Sequence, residues 1–300
     1  MVLPYCKNLI SNTPSWCSVI VADNASTDNS LSLLQQHFPD VQCIEMQQNT
    51  GFAGGYNNAL HQIDAEYFIL LNSDIEVTPQ WVEPIIEFMI QHADVAACQP
   101  KILAYNQKDF FEHAGACGGY IDYLGFPFCR GRIFNSLEKD ENQYPDNKEI
   151  FWATGAAMFI RSNVFKATGG FDADFFAHME EIDLCWRMKH CGYKLYCIPA
   201  SKVYHVGGGT LHKSNPKKTY LNFRNNLMML LKNLPSGSRF SVFVKRLFLD
   251  KLAFIKFFVS GNFRDAWAVY RAYFYVMLYF RIIMKKRREI KNINSGVSCI

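Results

Sequence analysis

A polar turn at the end of an apolar run is the first place in this sequence where chemistry is expected. Tyr67–Leu71 has the length and composition of a strand that is buried on both faces, and Asn72, Ser73 and Asp74 follow it directly. Ligands of parallel sheets gather at the carboxyl ends of strands, so we expect Asp74 to face a crevice. The alternative is an ordinary Asx turn, because Asn, Ser and Asp are common turn residues.

A second acidic residue follows the strand predicted over residues 16–22. Asp23 comes directly after that strand, and a polar loop then leads into a predicted helix. A carboxylate at the end of a strand can accept hydrogen bonds from a base or a ribose, whereas a structural Asp would cap the helix. We assign the helix cap to Asp28 and expect Asp23 to contact a nucleotide.

Three glycines lie within five residues, from Gly51 to Gly55, ahead of a helix predicted over residues 56–63. Glycines of this kind allow either a ligand or a neighbouring backbone to approach closely. The unpaired N–H groups at the start of a helix also suit an anion. Binding of a phosphate and close packing of the backbone are therefore both compatible with this loop.

Strands and helices alternate through the first hundred residues, which favours a doubly wound α/β sheet with right-handed crossovers. A chain of 300 residues holds one such domain and a modest remainder. The ten cysteines are scattered without a CxxC pair, and the N-terminus does not resemble a signal peptide, so we expect reduced thiols in a cytoplasmic protein. Nucleic acid is not an expected partner, because no recognition motif accompanies the basic residues.

The order and spacing of these motifs resemble the family 2 glycosyltransferases, which have the GT-A fold. Within that family the chain is most similar to the rhamnosyltransferase-like enzymes that build bacterial surface polysaccharides, and the likeness covers residues 1–235. It implies a mostly parallel central sheet flanked by helices, and a nucleotide-diphosphate sugar as donor. The residues expected to bind that donor are Asp23, Asn49, Gly51, Gly55, Asn58, Asn72 and Asp74.

Two later segments are also similar to the family. Residues 151–161 resemble the part that lines the sugar and acceptor site, which implies roles for Trp152, Thr154, Gly155 and Ala156. A buried strand with a tight bend is the alternative. Residues 169–187 resemble the element in which a Glu-Asp pair precedes a helix and its second carboxylate acts as base. The pair here is Glu180-Glu181, so Glu181 is the expected base, with Glu180 and Asp183 as supporting or competing carboxylates.

An inverting transfer explains why these residue types are needed. One carboxylate takes the proton of the acceptor hydroxyl while its oxygen attacks the anomeric carbon opposite the leaving diphosphate. A divalent cation, Mg²⁺ or Mn²⁺, lowers the barrier by neutralising that diphosphate, and the carboxylate of Asp74 is a suitable ligand. Asn72 stands at the first position of the family's aspartate pair, where it can bind ribose or metal-bound water.

Two basic residues are candidates for contact with the diphosphate. His205 follows a predicted strand and precedes the glycines of residues 207–209, where related enzymes often place a metal or diphosphate ligand. Its alternative is a structural histidine. Arg224 lies in a family-like helix, where it either neutralises a phosphate or belongs to a solvated or ion-paired face.

From residue 236 onward the composition changes to apolar, aromatic and basic. Residues 239–290 contain twelve Lys and Arg residues against three acidic ones, and no stretch reaches about twenty uncharged residues. We expect helices that lie on the inner face of an anionic membrane and bring the enzyme to a glycan or lipid-linked acceptor. A helical subdomain packed on the main domain, or a dimer contact, is the alternative.

The family's usual first strand is not found ahead of the first predicted helix, so the central sheet is expected to lack it. An unpaired sheet edge and an incomplete base pocket would follow. This favours, as the alternative to an enzyme, a non-catalytic protein that binds a nucleotide sugar or a partner. A nucleotidyltransferase would share the carboxylates at strand ends but would show a basic, Gly-rich loop near its N-terminus, and none is found.

Overall fold

The structure is a computed structural model that describes residues 3–113, 115–133, 136–207 and 215–296. The helices within those residues are α1 Leu3–Asn12, α2 Ser30–His37, α3 Gly51–Leu60, α4 Glu83–Gln91, α5 Ser162–Ala167, α6 Glu180–His190, α7 Pro216–Asn233, α8 Ser236–Val259, α9 Phe263–Leu278 and α10 Phe280–Gly296. The strands are β1 Ile20–Asp23, β2 Gln42–Glu45, β3 Tyr67–Leu71, β4 Ile75–Val77, β5 Val95–Ala104, β6 Gly119–Ile121, β7 Pro127–Cys129, β8 Arg132–Ile133, β9 Ser136–Leu137, β10 Lys148–Ile150, β11 Ala157–Arg161 and β12 Lys194–His205.

The main sheet contains six strands in the order β10-β12-β5-β11-β3, and β4 pairs with β12 as well. Strands β12 and β5 are parallel, whereas β10 and β4 run antiparallel to β12. Strand β11 lies between β5 and β3 and is antiparallel to both. The predicted α/β sheet is therefore confirmed, but its pairing is mixed. The expectation of a mostly parallel sheet is wrong because β11 separates two strands that run in the same direction.

Helices cover both faces of this sheet, which explains why its central strand reads as a continuous apolar run. Strand β5 contributes Ala97 to a core cluster with α3, α5, α6 and α7, and Cys98 to a second cluster with α4. Adjacent residues of a strand point to opposite faces, so a strand between two helical layers needs apolar residues at every position. Leu70 of β3 and Phe159 of β11 are likewise fully buried.

Strands β1 and β2 form a separate parallel pair. In the described part of the chain, β1 and β3 belong to different sheets, and a cavity of about 370 Å³ lies between them. Helix α1 lines this cavity and fixes the end of β4, since the Asn8 side chain donates to the Val77 carbonyl at 3.1 Å and accepts the Val77 N–H at 2.8 Å. Among the described strands, the pairing is thus interrupted beside β1.

The last helices pack on α7, which ends the predicted glycosyltransferase domain. Helices α9 and α10 both contact α7, and Lys286 of α10 pairs with Asp172 and Asp174 ahead of α6. The division into domains of residues 1–235 and 236–300 stays a prediction. Among the described helices, none combines the length and the hydropathy that crossing a bilayer requires.

Candidate active site

Asp74 and His205 meet because two strands pair. Asp74 lies in the turn between β3 and β4, and β4 pairs antiparallel with the end of β12, which places Ile75 opposite His205. The Asp74 Oδ1 atom lies 3.2 Å from Nε2 of His205. The side-chain nitrogen of Asn72 is 3.5 Å from the same ring nitrogen. The structure therefore brings together three of the residues predicted for the donor and metal.

A second carboxylate stands on the other side of the His205 ring. Oε1 of Glu112 lies 3.6 Å from Nδ1 of His205. Burial alone would lower the pKa of His205, but the carboxylates of Asp74 and Glu112 outweigh it and raise that pKa to about 9. Burial would raise the pKa of Asp74, and its hydrogen bond to His205 lowers it overall. Glu112 belongs to no recognisable motif and is not predicted from the sequence.

These groups fit a divalent cation as a partial ligand set once the His205 ring has released a proton, because a metal binds the neutral imidazole. A carboxylate and an imidazole suit Mn²⁺, and a carboxylate with water suits Mg²⁺. Among the residues that the structure describes, no three His, Cys, Asp or Glu side chains are grouped so that they hold a metal by themselves. Residues 208–214, which include two glycines of the loop predicted beside His205, lie outside the described ranges. Among the described residues, Asp74 and His205 are the two residues predicted as metal ligands, and their side chains lie 3.2 Å apart.

Glu180 and Glu181 are the first two residues of α6. The Oε2 atom of each is buried without a hydrogen-bond partner in the described residues. Burial raises the pKa of Glu180 well above its usual range, and the charge of Glu181 adds to the effect. Burial also raises the pKa of Glu181 to about 7, although backbone N–H groups act in the opposite direction. A carboxylate that has one buried oxygen without a hydrogen-bond partner and a pKa near neutrality is suited to accept a proton.

The loop ahead of α6 has a strained backbone. Phe176, His178 and Met179 have φ angles of 63°, 71° and 73°, a region that side chains other than glycine adopt at an energetic cost. Asn225 of α7 stabilises the loop by donating its side-chain amide to three of its carbonyl oxygens, at 2.7 to 2.9 Å. Asn225 thus positions the start of α6, a role that becomes visible only when α7 is placed beside the loop.

Two predicted site residues have structural contacts instead. Asp183 is completely buried, and its oxygens accept hydrogen bonds from three side chains, those of Arg187, Lys232 and Asn233. This network compensates its charge, so Asp183 does not compete with Glu181 as a base. Arg224 donates to two carbonyl oxygens of the strained loop, those of Asp174 and Phe175, at 2.8 and 3.0 Å. Its main contact is therefore with the protein.

Asp23 lies at the end of β1 and is largely buried, and its carboxylate accepts the N–H of Ser26 at 3.0 Å. The next residue, Asn24, donates its side-chain amide to the Gly51 carbonyl at 2.9 Å and to Oδ1 of Asn49 at 3.3 Å. Asn24 therefore joins the turn after β1 to the start of α3. No motif singles it out, and its position directly after Asp23 is the only signal in the sequence.

The glycines of the predicted phosphate loop are explained by close packing. Helix α3 begins at Gly51, five residues before its predicted start, and its Phe52 N–H donates to the Phe176 carbonyl at 2.7 Å. A Cβ atom on Gly51 would lie 2.4 Å from that carbonyl oxygen, and one on Gly55 would lie 3.0 Å from the side chain of Asn24. Protein groups therefore occupy the space expected for a ligand. Asn58 is exposed two turns further along α3.

The segment predicted to line the acceptor site is buried. Trp152 donates its ring N–H to the Tyr120 carbonyl at 2.8 Å, and the Thr154 N–H donates to Oε1 of Gln99 at 3.0 Å. Trp152, Thr154 and Ala156 are at most 7% exposed, and a Cβ atom on Gly155 would clash with the ring of Phe52. These residues support the site from behind and do not present side chains to an open acceptor cleft.

This buried segment connects the two groups of functional side chains. The Ala156 carbonyl accepts the N–H of Asn72 at 2.9 Å, which fixes the turn that carries Asp74. The N–H of Ala153 lies 3.5 Å from the sulfur of Cys185, one helical turn after Glu181. The segment therefore holds the Asp74 turn on one side and the start of α6 on the other.

This combination of a mixed α/β sheet, a carboxylate turn after β3 and buried carboxylates at the start of α6 defines a GT-A glycosyltransferase fold. Solved structures with that fold superpose on the chain. GalNAc-T7 with UDP, GalNAc and Mn²⁺ is similar with a TM-score of 0.60 and 13% identity, over 77% of this chain and 45% of that one. Pyrobaculum calidifontis mannosyltransferase PcManGT with GDP-Man and Mn²⁺ has a TM-score of 0.53 and 12% identity, over 99% and 82%.

Residues 2–168 match the model of glycosyl transferase family 2, and the chain belongs to this family. Rhamnosyltransferase WbbL of Escherichia coli K12 is 35% identical over 67% of this chain and 78% of its own length. N-acetylglucosaminyl-diphospho-decaprenol L-rhamnosyltransferase of Mycobacterium tuberculosis is 25% identical over 63% of this chain. The aligned region spans 66% of the mycobacterial protein, slightly less than two thirds of its length.

Proposed function

We propose that the chain transfers a sugar from a nucleotide-diphosphate donor to a hydroxyl of a glycan or lipid-linked acceptor, with inversion, in the synthesis of a cell-surface polysaccharide. The observation that carries this proposal is the carboxylate of Glu181, whose Oε2 atom is buried without a hydrogen-bond partner in the described residues and whose pKa is raised by burial to about 7. Such a group is suited to accept the acceptor's proton. The names of the rhamnosyltransferase relatives support a deoxyhexose or hexose as the transferred sugar.

In this mechanism Glu181 accepts the proton of the acceptor hydroxyl as the oxygen attacks the anomeric carbon. Asp74 and His205 lie at the diphosphate of the donor, and Asp23 and Asn49 bind its nucleoside part. Asp74 and His205 would hold a divalent cation, which would supply positive charge to the leaving diphosphate. The Mn²⁺ present in the GalNAc-T7 and PcManGT structures supports a divalent cation for this chain, with Mg²⁺ as the other candidate.

A non-catalytic nucleotide-sugar-binding protein is the second candidate function. Two observations favour it: the cavity that interrupts the sheet beside β1, and a Glu at the position where the family resemblance implies an Asp base. Such a protein would bind the donor nucleotide but would not transfer the sugar. The two functions therefore separate when binding and turnover are measured on the same preparation.

The proposed donor site is tested by calorimetric titration of the chain with UDP, GDP and dTDP, each with and without Mn²⁺. We expect one nucleotide to bind, and to bind more tightly with the metal, because a cation held by Asp74 and His205 would neutralise the charge of the diphosphate. Binding of none of the three nucleotides under either condition would contradict a working donor site.

The raised pKa of Glu181 predicts the acid limb of the pH profile. A base must be ionised, so we expect the transfer rate to rise with increasing pH and to reach half of its plateau at about pH 7. The measurement is kcat at saturating substrates between pH 5 and 9, with nucleotide binding followed in parallel. A rate that is already constant from pH 5 upward would show that a group of ordinary carboxylate pKa acts as the base.

We also propose that the chain binds the inner face of the membrane peripherally. The proposal is supported by large apolar side chains that α8 and α9 expose, among them Phe240, Leu247, Phe248, Phe258, Val259, Phe263, Tyr270 and Phe274. Basic residues alternate with them, so an anionic surface would attract the same helices that bury apolar area. A peripheral position would bring the site to a lipid-linked acceptor.

Flotation with lipid vesicles tests this position. We expect wild-type protein to float with phosphatidylglycerol vesicles and to bind them at least about tenfold more weakly after Phe240→Gln and Phe248→Gln are combined, since two exposed rings are lost from the bilayer. Ile90→Gln on α4 is the matched control, because Ile90 is 65% exposed but lies outside α8 and α9. Equal flotation of both variants would contradict the proposed surface.

A further inference from the structure

Helices α7 and α9 present matching stripes of side chains to one another. The α7 stripe consists of Lys217, Tyr220, Leu221 and Arg224, and the α9 stripe consists of Arg264, Trp267, Ala268 and Arg271. Both follow the i, i+3, i+4, i+7 spacing that places residues on one face of a helix. Each stripe therefore has a basic residue at both ends and apolar or aromatic residues between them.

The two stripes enclose a cavity of about 630 Å³, and the ring of Phe176 borders it as well. Leu221 and Ala268 are buried and form the apolar floor of the cavity. The residues Lys217, Arg264 and Arg271 are exposed to solvent. The cavity thus combines an apolar interior with positively charged groups, and it differs from the β1–β3 cavity, to which no Lys or Arg contributes.

Three of the four basic residues are not compensated by acidic groups. Within the described residues, Lys217, Arg264 and Arg271 form no ion pair with a carboxylate. Lys217 Nζ lies 4.7 Å from the centre of the Phe176 ring, and the guanidinium of Arg271 lies 4.9 Å from that of Tyr220. Aromatic contacts hold Lys217 and Arg271 in place without neutralising them, which leaves them suited to phosphate oxygens.

The cavity borders both the loop that leads to Glu181 and the helix α9, which exposes apolar side chains. Phe176, on its border, accepts the N–H of Phe52 at the start of α3 and belongs to the strained loop that leads to Glu181. Helix α9 contributes Trp267 to the lining of the cavity, and the same helix exposes Phe263 and Tyr270. A ligand with a phosphate group and an apolar chain would match both neighbours.

We propose that this cavity binds the diphosphate of the lipid-linked acceptor, with Lys217, Arg264 and Arg271 contacting its oxygens and the lipid chain leaving along α9. This inference rests on the proposed function and adds the site at which the acceptor is held. A diphosphate fixed beside Phe176 orients the attached sugar towards Glu181. The cavity is separate from Asp74 and His205, so the donor's diphosphate has its own site.

The test is calorimetric titration of the full chain with geranyl diphosphate, which is soluble and carries both a diphosphate and a short apolar chain. We expect Arg264→Gln combined with Arg271→Gln to raise its Kd at least about tenfold, since two charge-assisted contacts are lost. Arg281→Gln on α10 is the matched control, because Arg281 is exposed and does not line the cavity. We expect no change in the control and a donor-nucleotide Kd within about twofold of wild type in all variants.

Three other outcomes would overturn the proposal. Equal geranyl diphosphate binding by the double variant and the wild type would show that these arginines do not hold a diphosphate. A loss confined to phosphatidylglycerol vesicles would assign them to phospholipid headgroups, and a loss confined to the nucleotide would assign them to the donor. Geranyl diphosphate binding does not require donor binding, so a failed donor titration with intact geranyl diphosphate binding would refute the proposed function alone.

Discussion

Glu181→Gln is expected to reduce the transfer rate by about a thousandfold while leaving the Kd of the donor nucleotide within about twofold of wild type. Glutamine keeps the size of the side chain and cannot accept the acceptor's proton. The Oε2 atom of Glu181 has no hydrogen-bond partner in the described residues, so the substitution removes no hydrogen bond from that atom. Single-turnover transfer and nucleotide titration on the same preparation measure the two quantities.

Glu180→Gln is the variant that tells the two neighbouring carboxylates apart. Burial and the charge of Glu181 raise the pKa of Glu180 well above its usual range, which favours the neutral form that a glutamine mimics. We expect a loss of less than about tenfold in kcat. The opposite order, with Glu180→Gln inactive and Glu181→Gln active, would assign the base to Glu180.

Asp74→Ala is expected to weaken Mn²⁺-dependent binding of the donor nucleotide by about a hundredfold and to abolish detectable transfer. Asp74 is the carboxylate of the turn after β3, and His205 alone is a poor ligand for a hard cation. Binding measured without metal should change little. Asp64→Ala is the matched control, because Asp64 is exposed on the loop before β3. An unchanged effect of Mn²⁺ in Asp74→Ala would remove Asp74 from the metal site.

The sequence predicts the residues at strand ends better than it predicts their partners. Asp74 and His205 are both candidates because each follows an apolar strand, and strand ends are where α/β sheets bind ligands. Their contact depends on the antiparallel pairing of β4 with β12, between segments more than a hundred residues apart. Glu112 completes the group from an irregular region with no periodic pattern, so its position follows only from the fold.

The support of the site is the part that the sequence does not reveal. Asn24 and Asn225 each hold a loop through the side-chain amide, and an asparagine in a polar tract has no distinguishing pattern. Residues 151–161, which resemble the family's acceptor segment, are mostly buried and include strand β11. This arrangement is close to the alternative of a buried strand with a tight bend. Helix α3 begins earlier than predicted because its glycines pack against Phe176 and Asn24, which compensates for their low helix propensity.

The direction of β11 shows the same limit at the level of the fold. Its apolar residues Ala157 to Ile160 are fully buried and would suit a parallel or an antiparallel strand equally. Only its insertion between β5 and β3 makes the sheet mixed. Local patterns therefore predict that this strand exists, whereas its neighbours and direction depend on contacts between distant parts of the chain.

The most direct test of the proposed function is the anomeric configuration of the product. The chain would be incubated with Mn²⁺, a nucleotide-diphosphate sugar of the base chosen by titration, and N-acetylglucosaminyl diphosphate on a short prenyl chain, and the new linkage would be read by NMR. We predict a transferred sugar whose configuration is inverted relative to the donor and whose formation disappears with Glu181→Gln. A retained configuration, or the same inverted product from Glu181→Gln, would contradict Glu181 as the base of an inverting transfer.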